Sequence, residues 1–120
     1  MSLEAKAPDS DLCMKNARST HDTLNCIDKE YTYYDTLLNR YYKQIKEYFK
    51  NDKKEQHLLK EAQLAWIEYR DKKCKFEGYP MRDGSGEKII SFSCRVEATA
   101  LRAKELKEIT DELKSFSEDG

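Results

Sequence analysis

The stretch LNCIDKEYTYYDTLLNRYYKQIKEY, residues 24–48, decides the fold of this chain. Its apolar and aromatic side chains recur at alternating steps of three and four residues without a break. This heptad spacing predicts one long helix that packs at a shallow angle against its neighbours. Ser19 or Thr20 can cap the start of this helix, and Asp22 in the first turn favours its positive end. The seam positions are Leu24, Ile27, Tyr31, Tyr34, Leu38, Tyr41, Ile45 and Tyr48.

Glycine and proline mark where further helices can run. Neither residue type occurs in residues 9–77 or 87–119, so both stretches are free to be helical. Asn51 can adopt the left-handed conformation that ends a helix, and Asp52 with Glu55 forms a capping-box pattern for the next one. We therefore expect a tight helical hairpin and then a third helix, with helices at about 20–50, 53–77 and 88–116.

The second of these helices also carries apolar residues at helical spacing. The small residues Ala62 and Ala65 stand beside the bulky Trp66, which predicts close approach to a partner helix at this point. The apolar positions are Leu58, Leu59, Ala62, Ala65, Trp66, Tyr69 and Phe76.

The composition limits both the size of the core and the class of protein. The chain has 120 residues, 38% of them charged and 38% hydrophobic, which indicates one slim domain with a charged surface. It contains no apolar run long enough to span a membrane. Its net charge of −1 gives no indication of a surface that binds nucleic acid. We expect residues 1–11 to be a flexible N-terminus or an expression scar, residues 12–116 one helical domain, and residues 117–120 a frayed tail.

The four cysteines favour two disulfides over reduced structural cysteines or a metal site. No C-x-x-C motif is present, and neither histidine has a metal-ligand spacing to a cysteine. Disulfides imply an oxidising compartment, so a secreted or periplasmic location is expected. The N-terminus has no apolar signal-peptide core, and we therefore expect a mature chain whose signal peptide has been removed.

The helical hairpin gathers all four cysteines at one end of the bundle, where topology alone cannot fix their pairing. Cys74 with Cys94 is favoured because this bond closes the long connection between successive helices. Cys13 with Cys26 then ties the N-terminal segment to the first helix. The expected fold is an all-α, antiparallel three-helix bundle with an N-terminal tail or short helix and two disulfides.

The same register predicts a polar layer around the single tryptophan. Asp35 and Arg70 of the first two helices are expected to meet Arg102 of the third at this level. The layer could be an ion-binding or catalytic cluster, but we favour a structural layer, because arginine cannot serve as a proton shuttle at ordinary pH. Its members are Asp35, Asn39, Gln63, Trp66, Arg70, Thr99 and Arg102.

Three motifs follow one another along the chain. They are Cys13-x12-Cys26, then Gln63-x2-Trp66-x2-Tyr69-Arg70-Asp71-x2-Cys74, and finally Cys94 followed by Thr99-x2-Arg102-x2-Glu105-Leu106. Over about residues 12–108 the chain resembles the lysozyme inhibitor LprI-like domain family, although Asp83-Gly84-Ser85 stands where the family usually has Gly-Gly-Ser. The resemblance implies a secreted, disulfide-bonded, mostly helical bacterial domain. Lysozyme inhibition is described for at least one member, and the resemblance carries over no catalytic residues.

We therefore expect a non-enzymatic binding domain with a protein partner, lysozyme being the candidate, and with no cofactor, metal or nucleic acid. The binding elements would lie in the loop of residues 78–86 and just after it, at Arg82, Asp83, Ser85 and Lys88. One alternative is an envelope structural or protein-interaction module without inhibitory activity. A more remote alternative is a glycan-binding or glycan-cleaving domain, which would use the tyrosines of the first helix or the carboxylates of Glu68 and Asp71. The sequence leaves the oligomeric state open.

Overall fold

The computed structural model describes residues 10–119, and within them every regular element is helical. Residues 1–9, which make up most of the segment expected to be a flexible N-terminus or expression scar, lie outside the described residues, as does residue 120. The all-α class is confirmed, and the N-terminal segment contains a short helix. The elements are α1 (Ser10–Asn16), α2 (Thr20–Tyr48), α3 (Lys53–Gly78), a 3₁₀ helix (Tyr79–Met81) and α4 (Gly86–Asp119).

Side-chain caps define the hairpin between α2 and α3. The Ser19 hydroxyl accepts a hydrogen bond from the backbone N–H of Asp22 at 3.0 Å and so caps the start of α2. At the start of α3, the Asp52 carboxylate accepts from the backbone N–H of Glu55, also at 3.0 Å. These caps hold the chain reversal to the few residues between Tyr48 and Lys53, as the sequence predicts.

The helix α4 is the central element of the bundle. It packs closely against both α2 and α3, whereas α2 and α3 meet mainly through long side chains. Helix α4 begins at Gly86 and ends at Asp119, so the expected span of 88–116 is too short at both ends. Glycine is tolerated in the first turn of a helix, and no helix-breaking residue follows it before residue 120.

The apolar core is a narrow seam between α2 and α4. One part joins Ile27 and Tyr34 of α2 to Val96 of α4. The other part joins α2 to Leu106, whose side chain is fully buried. Its buried members are Leu38, Ile45, Ala103 and Leu106.

Helix α3 enters this core only at its margin. Leu59 and Trp66 are partly buried against the α2–α4 seam. The residues of α3 that are themselves buried are polar or small or form a disulfide: Gln63, Arg70, Cys74 and Gly78. Polar contacts and a covalent bond, more than apolar burial, therefore hold α3 to the bundle.

Both expected disulfides are present. Cys13 is bonded to Cys26 with their Cα atoms 5.7 Å apart, and Cys74 to Cys94 with their Cα atoms 5.4 Å apart. The first bond ties α1 to α2, and the second joins α3 to α4. Because α1 contributes no buried residue, the first bond holds a peripheral element, while the second holds one of the three long helices.

Removing the second disulfide should therefore destabilise the protein more than removing the first. We expect Cys74→Ser/Cys94→Ser to lower the free energy of unfolding by about 3 kcal/mol, because the bond limits the entropy of the unfolded chain and anchors α3. Cys13→Ser/Cys26→Ser should lower it by less than about 1 kcal/mol, because only α1 is released. Chemical denaturation followed by circular dichroism measures both values, and equal losses would contradict the assignment of α1 as peripheral.

Candidate functional site

The loop between the 3₁₀ helix and α4 projects from the end of the bundle that carries the Cys74–Cys94 disulfide. Its four residues, 82–85, are all exposed. Of the expected loop residues, Arg82, Asp83 and Ser85 lie on it. Lys88 does not, because α4 begins at Gly86 and Lys88 falls in its first turn, where its side chain is exposed.

The base of this loop is held by close backbone packing. Gly78 at the end of α3 is buried, and a Cβ atom placed on it would lie 2.9 Å from the backbone carbonyl oxygen of Glu87. Only glycine permits this approach between α3 and α4. A Cβ atom on Gly86 would lie 3.3 Å from the Met81 Cβ, so the 3₁₀ helix packs on the start of α4. Together with the disulfide, these contacts fix both ends of the loop.

One cation of the loop is held in place as well. The Arg82 guanidinium lies over the Tyr79 ring, 4.3 Å from its centroid, and donates a hydrogen bond to the Tyr79 carbonyl oxygen at 3.3 Å. Cation–π contact and this hydrogen bond restrict the side chain on an exposed surface. Arg82 is therefore presented in one orientation next to the loop.

Two glycine substitutions test the close packing at the loop base. We expect Gly78→Ala to lower the free energy of unfolding by about 1–2 kcal/mol, because the new methyl group meets backbone that must shift. Gly84→Ala is the matched control, since no atom lies within 4 Å of the added Cβ, and should change stability by less than about 0.5 kcal/mol. Thermal or urea unfolding of the two variants makes the comparison; equal stabilities would mean that α3 and α4 do not approach as described.

A buried arginine, Arg70, is the centre of the polar cluster between the helices. Its side chain is 7% exposed, and its Nε and Nη2 atoms both lie 3.0 Å from Oδ1 of Asp71. Nη1 donates to the Tyr31 hydroxyl at 3.4 Å and to Thr99 Oγ1 at 3.5 Å, and the guanidinium lies over the Trp66 ring at 5.1 Å. One side chain thus connects α2, α3 and α4.

A second arginine, Arg102 of α4, also lies near the Trp66 ring. Arg102 Nε donates to Gln63 Oε1 at 3.1 Å, its Nη1 lies 3.1 Å from Glu105 Oε1, and its guanidinium lies 5.9 Å from the Trp66 ring centroid. The structure therefore brings together five members of the expected layer: Gln63, Trp66, Arg70, Thr99 and Arg102.

The other two members of the expected layer lie elsewhere. Asp35 accepts a hydrogen bond from Asn39 at 3.3 Å on its own helix and pairs with neither guanidinium. The expected meeting of Asp35 with Arg70 and Arg102 is absent, because α2 and α3 make little backbone contact and the α2 side chain that reaches Arg70 is Tyr31, one turn before Asp35.

The carboxylate that Arg70 uses is instead Asp71, the next residue along α3. Asp71 Oδ1 also lies 3.9 Å from Arg95 Nε, and the Arg95 guanidinium lies 5.5 Å from the Tyr31 ring centroid. Sequence reasoning missed Tyr31, Asp71 and Arg95 as members of this cluster. The register that aligns Cys74 with Cys94 also places Asp71 close to the level of Arg95, and this signal could have found the pair.

The cluster consists of ion pairs, hydrogen bonds and cation–π contacts between side chains of the three long helices. In the part of the chain that the structure describes, no group of His, Cys, Asp and Glu side chains could hold a metal ion. The Glu68 carboxylate pairs with Lys72 at 3.1 Å and that of Asp71 pairs with Arg70 at 3.0 Å, so basic side chains already engage both carboxylates. Near the disulfide, a hydrogen bond to Glu77 raises the pKa of the half-buried Lys73 above its ordinary value. The arrangement fits a structural role.

Arg70 is the residue whose loss should affect this cluster most. We expect Arg70→Ala to lower the free energy of unfolding by about 3 kcal/mol, because it removes a buried guanidinium that links all three long helices. Lys72→Ala is the control on the same helix, and loss of its exposed pair with Glu68 should change stability by less than about 0.5 kcal/mol. Urea unfolding measures both, and a neutral Arg70→Ala would show that the cluster does not hold the helices together.

A second exposed feature is the apolar face of α3 that points away from the bundle. Tyr69 is 63% exposed and Phe76 78% exposed, and Ala62 and Ala65 are exposed beside them. We call Leu58, Ala62, Ala65, Tyr69 and Phe76 the α3 outer face. Leu101 of α4 borders it, across an open groove of about 270 Å³ with Trp66 at its wall. No helix within residues 10–119 covers this face, so the close approach expected at Ala62 and Ala65 has no partner there.

Comparison with known proteins finds a relative and a family model that match most of the chain. The chain is 35% identical over 118 residues to the uncharacterized protein R02472 of Rhizobium meliloti (strain 1021), covering 89% of this chain and 84% of that protein. No solved structure matches this chain. No helix of the described residues is long and apolar enough to cross a membrane. The family model described as "Lysozyme inhibitor LprI" matches residues 13–106, which include both disulfides and the whole polar cluster. The chain therefore belongs to the lysozyme inhibitor LprI family.

Proposed function

We propose that this chain is a secreted or periplasmic binding domain, without enzymatic activity, that inhibits lysozyme through the loop of residues 82–85 and the adjoining turn of α4. Membership of an inhibitor family and the two disulfides support this proposal. The observation that carries it is the fixed base of the loop, where Gly78 meets the Glu87 backbone one turn from the Cys74–Cys94 bond.

A fixed loop suits an inhibitor because binding then orders few degrees of freedom. The ordering of a flexible loop would subtract from the binding free energy, whereas a loop closed by a disulfide and by packed backbone avoids most of that cost. The exposed position of residues 82–85 at the end of an elongated bundle, 54 Å long and 15 Å in its smallest dimension, lets the loop enter a cleft.

The charges near the loop fit the chemistry of the target. Lysozyme hydrolyses its saccharide in a cleft that carries two carboxyl groups. Arg82 and Lys88 place two cationic side chains on the exposed surface beside the loop, and the Arg82 guanidinium is held against Tyr79. A cation entering the cleft can pair with the carboxylate that remains ionised there. The hydroxyl of Ser85 and the carboxylate of Asp83 can accept or donate hydrogen bonds at its rim.

A turbidity assay of lysozyme on bacterial cell walls tests this function. We expect the disulfide-intact protein to inhibit at concentrations up to about 50 µM, a range suited to an interface of modest size. Arg82→Ala/Lys88→Ala should weaken inhibition at least about tenfold, because it removes both cations from the cleft.

The matched control removes two exposed lysines at the opposite end of the bundle. Lys50→Ala/Lys53→Ala changes the net charge by the same amount next to the α2–α3 turn and should leave inhibition unchanged. Absence of inhibition by the unaltered protein would contradict the proposed function and favour an interaction module without inhibitory activity. Equal losses in both double variants would contradict the role of the loop.

A further inference from the structure

The α3 outer face has the spacing of a coiled-coil seam that lacks its second helix. Its residues follow one another at steps of four and three residues. The position between Tyr69 and Phe76 in this series is occupied by Lys72, which is exposed. Ala62, Tyr69 and Phe76 take heptad positions a, and Leu58, Ala65 and Lys72 take positions d. The stretch from Leu58 to Phe76 is about 27 Å long at 1.5 Å per residue, enough for a helix pair.

An antiparallel copy of the same helix matches this face in size. With a two-fold axis at residue 67, Ala65 of one copy lies opposite Tyr69 of the other, so a small residue meets a large one. The same axis places Leu58 opposite Phe76, and Ala62 opposite the aliphatic stem of Lys72. The two inner layers therefore pair an alanine with a long side chain, and the outer layer pairs two large apolar side chains, which fits a self-complementary, isologous contact.

The flanking charges match the same arrangement. Glu61 and Lys75 occupy position g, and in an antiparallel pair the g positions of the two helices face each other. The two-fold axis brings Glu61 of each copy next to Lys75 of the other, forming two ion pairs. Neither side chain has an ion-pair partner within residues 10–119. The axis also brings the two Glu68 side chains together, and the Lys72 at 3.1 Å from each reduces their repulsion.

We propose that two copies of this chain associate through the α3 outer face as an antiparallel, two-fold symmetric dimer. Glu61 and Lys75 flank one edge of the α3 outer face, and α4 runs along its other edge. Leu101 of α4, which is 59% exposed, therefore lies where it can contact the partner helix. Because the helices run in opposite directions, the loops of residues 82–85 lie at opposite ends of the dimer. The dimer thus leaves both proposed inhibitory loops accessible.

Sedimentation velocity over about 1–500 µM protein tests the dimer without reference to lysozyme. We expect a concentration-dependent shift from monomer to dimer. Tyr69→Lys should abolish the shift, because it removes the ring that packs on Ala65 of the partner and adds a second lysine from each copy to a seam that already contains Lys72. Leu64→Lys is the matched control: Leu64 is 52% exposed on the same helix but lies outside the a and d positions, and its replacement should leave the dimer intact. Circular dichroism checks that both variants keep their helical content.

Exchanging the charges of Glu61 and Lys75 tests the proposed register and distinguishes it from a general effect of surface charge on association. Glu61→Lys and Lys75→Glu should each weaken the dimer about tenfold, because each creates two repulsive contacts. The double variant Glu61→Lys/Lys75→Glu restores both pairs with their signs exchanged and should recover dimerisation. A double variant as weak as the single variants would overturn the antiparallel register.

A monomer at every concentration would overturn the dimer itself. If Tyr69→Lys then weakens lysozyme binding by that monomer, the α3 outer face belongs to the lysozyme interface instead. Because sedimentation uses this chain alone, a protein that dimerises but fails to inhibit would contradict only the proposed function.

Discussion

The structure depends on how α3 is attached to α4. A chain with as many charged as hydrophobic residues has enough apolar surface for one continuous seam, and α2 and α4 use it. For α3 the attachment is made by the Cys74–Cys94 bond, by the glycine contact at Gly78 and by the guanidinium of Arg70. Apolar burial of Leu59 and Trp66 adds to these contacts at the edge of the core.

Both exposed features follow from this attachment. The disulfide and the glycine contact lie at the end of α3, so they fix the loop that leaves it while the loop residues stay in solvent. The polar side of α3 faces the bundle, and its apolar side is consequently turned outward, where Tyr69 and Phe76 are exposed. Burying a charged residue such as Arg70 is tolerated because Asp71, Tyr31 and Thr99 satisfy its donors.

Local signals in the sequence were enough to predict the long helices and the pairing of the cysteines. The unbroken seam from Leu24 to Tyr48 and the cap at Asp52 depend on residues near one another in the chain, and the loop between Cys74 and Cys94 limits the pairing. The start of α4 at Gly86 carries no comparable signal, and the expected start at about residue 88 is two residues too late. The same limit applies to partners across helices: a hairpin register could align Asp35 with Arg70 in height, but it could not show that Tyr31, one turn earlier, is the α2 side chain that contacts Arg70.

The orientation of the apolar side of α3 away from the bundle was the least predictable feature. Periodicity shows that a helix has an apolar side, but it does not show what covers that side. Ala62 and Ala65 indicated a close partner helix, and their burial within the bundle would have been the ordinary outcome. Which side of α3 faces α4 is decided by Cys74, Gly78 and Arg70 together, through a covalent bond, a steric contact and a buried charge. These three contacts become visible only when the helices are placed in space.

The most direct test of this account is native-state hydrogen exchange before and after reduction of the disulfides. In the oxidised protein, the amides of α4 around residues 99–106 should be the most protected, because Thr99, Ala103 and Leu106 are fully buried there. After reduction, the amides of α3 should lose protection first, while α2 and the facing part of α4 retain theirs. Protection in α3 that stays equal to that of α4 after reduction would show that the disulfide is not needed to hold α3, and would contradict the account.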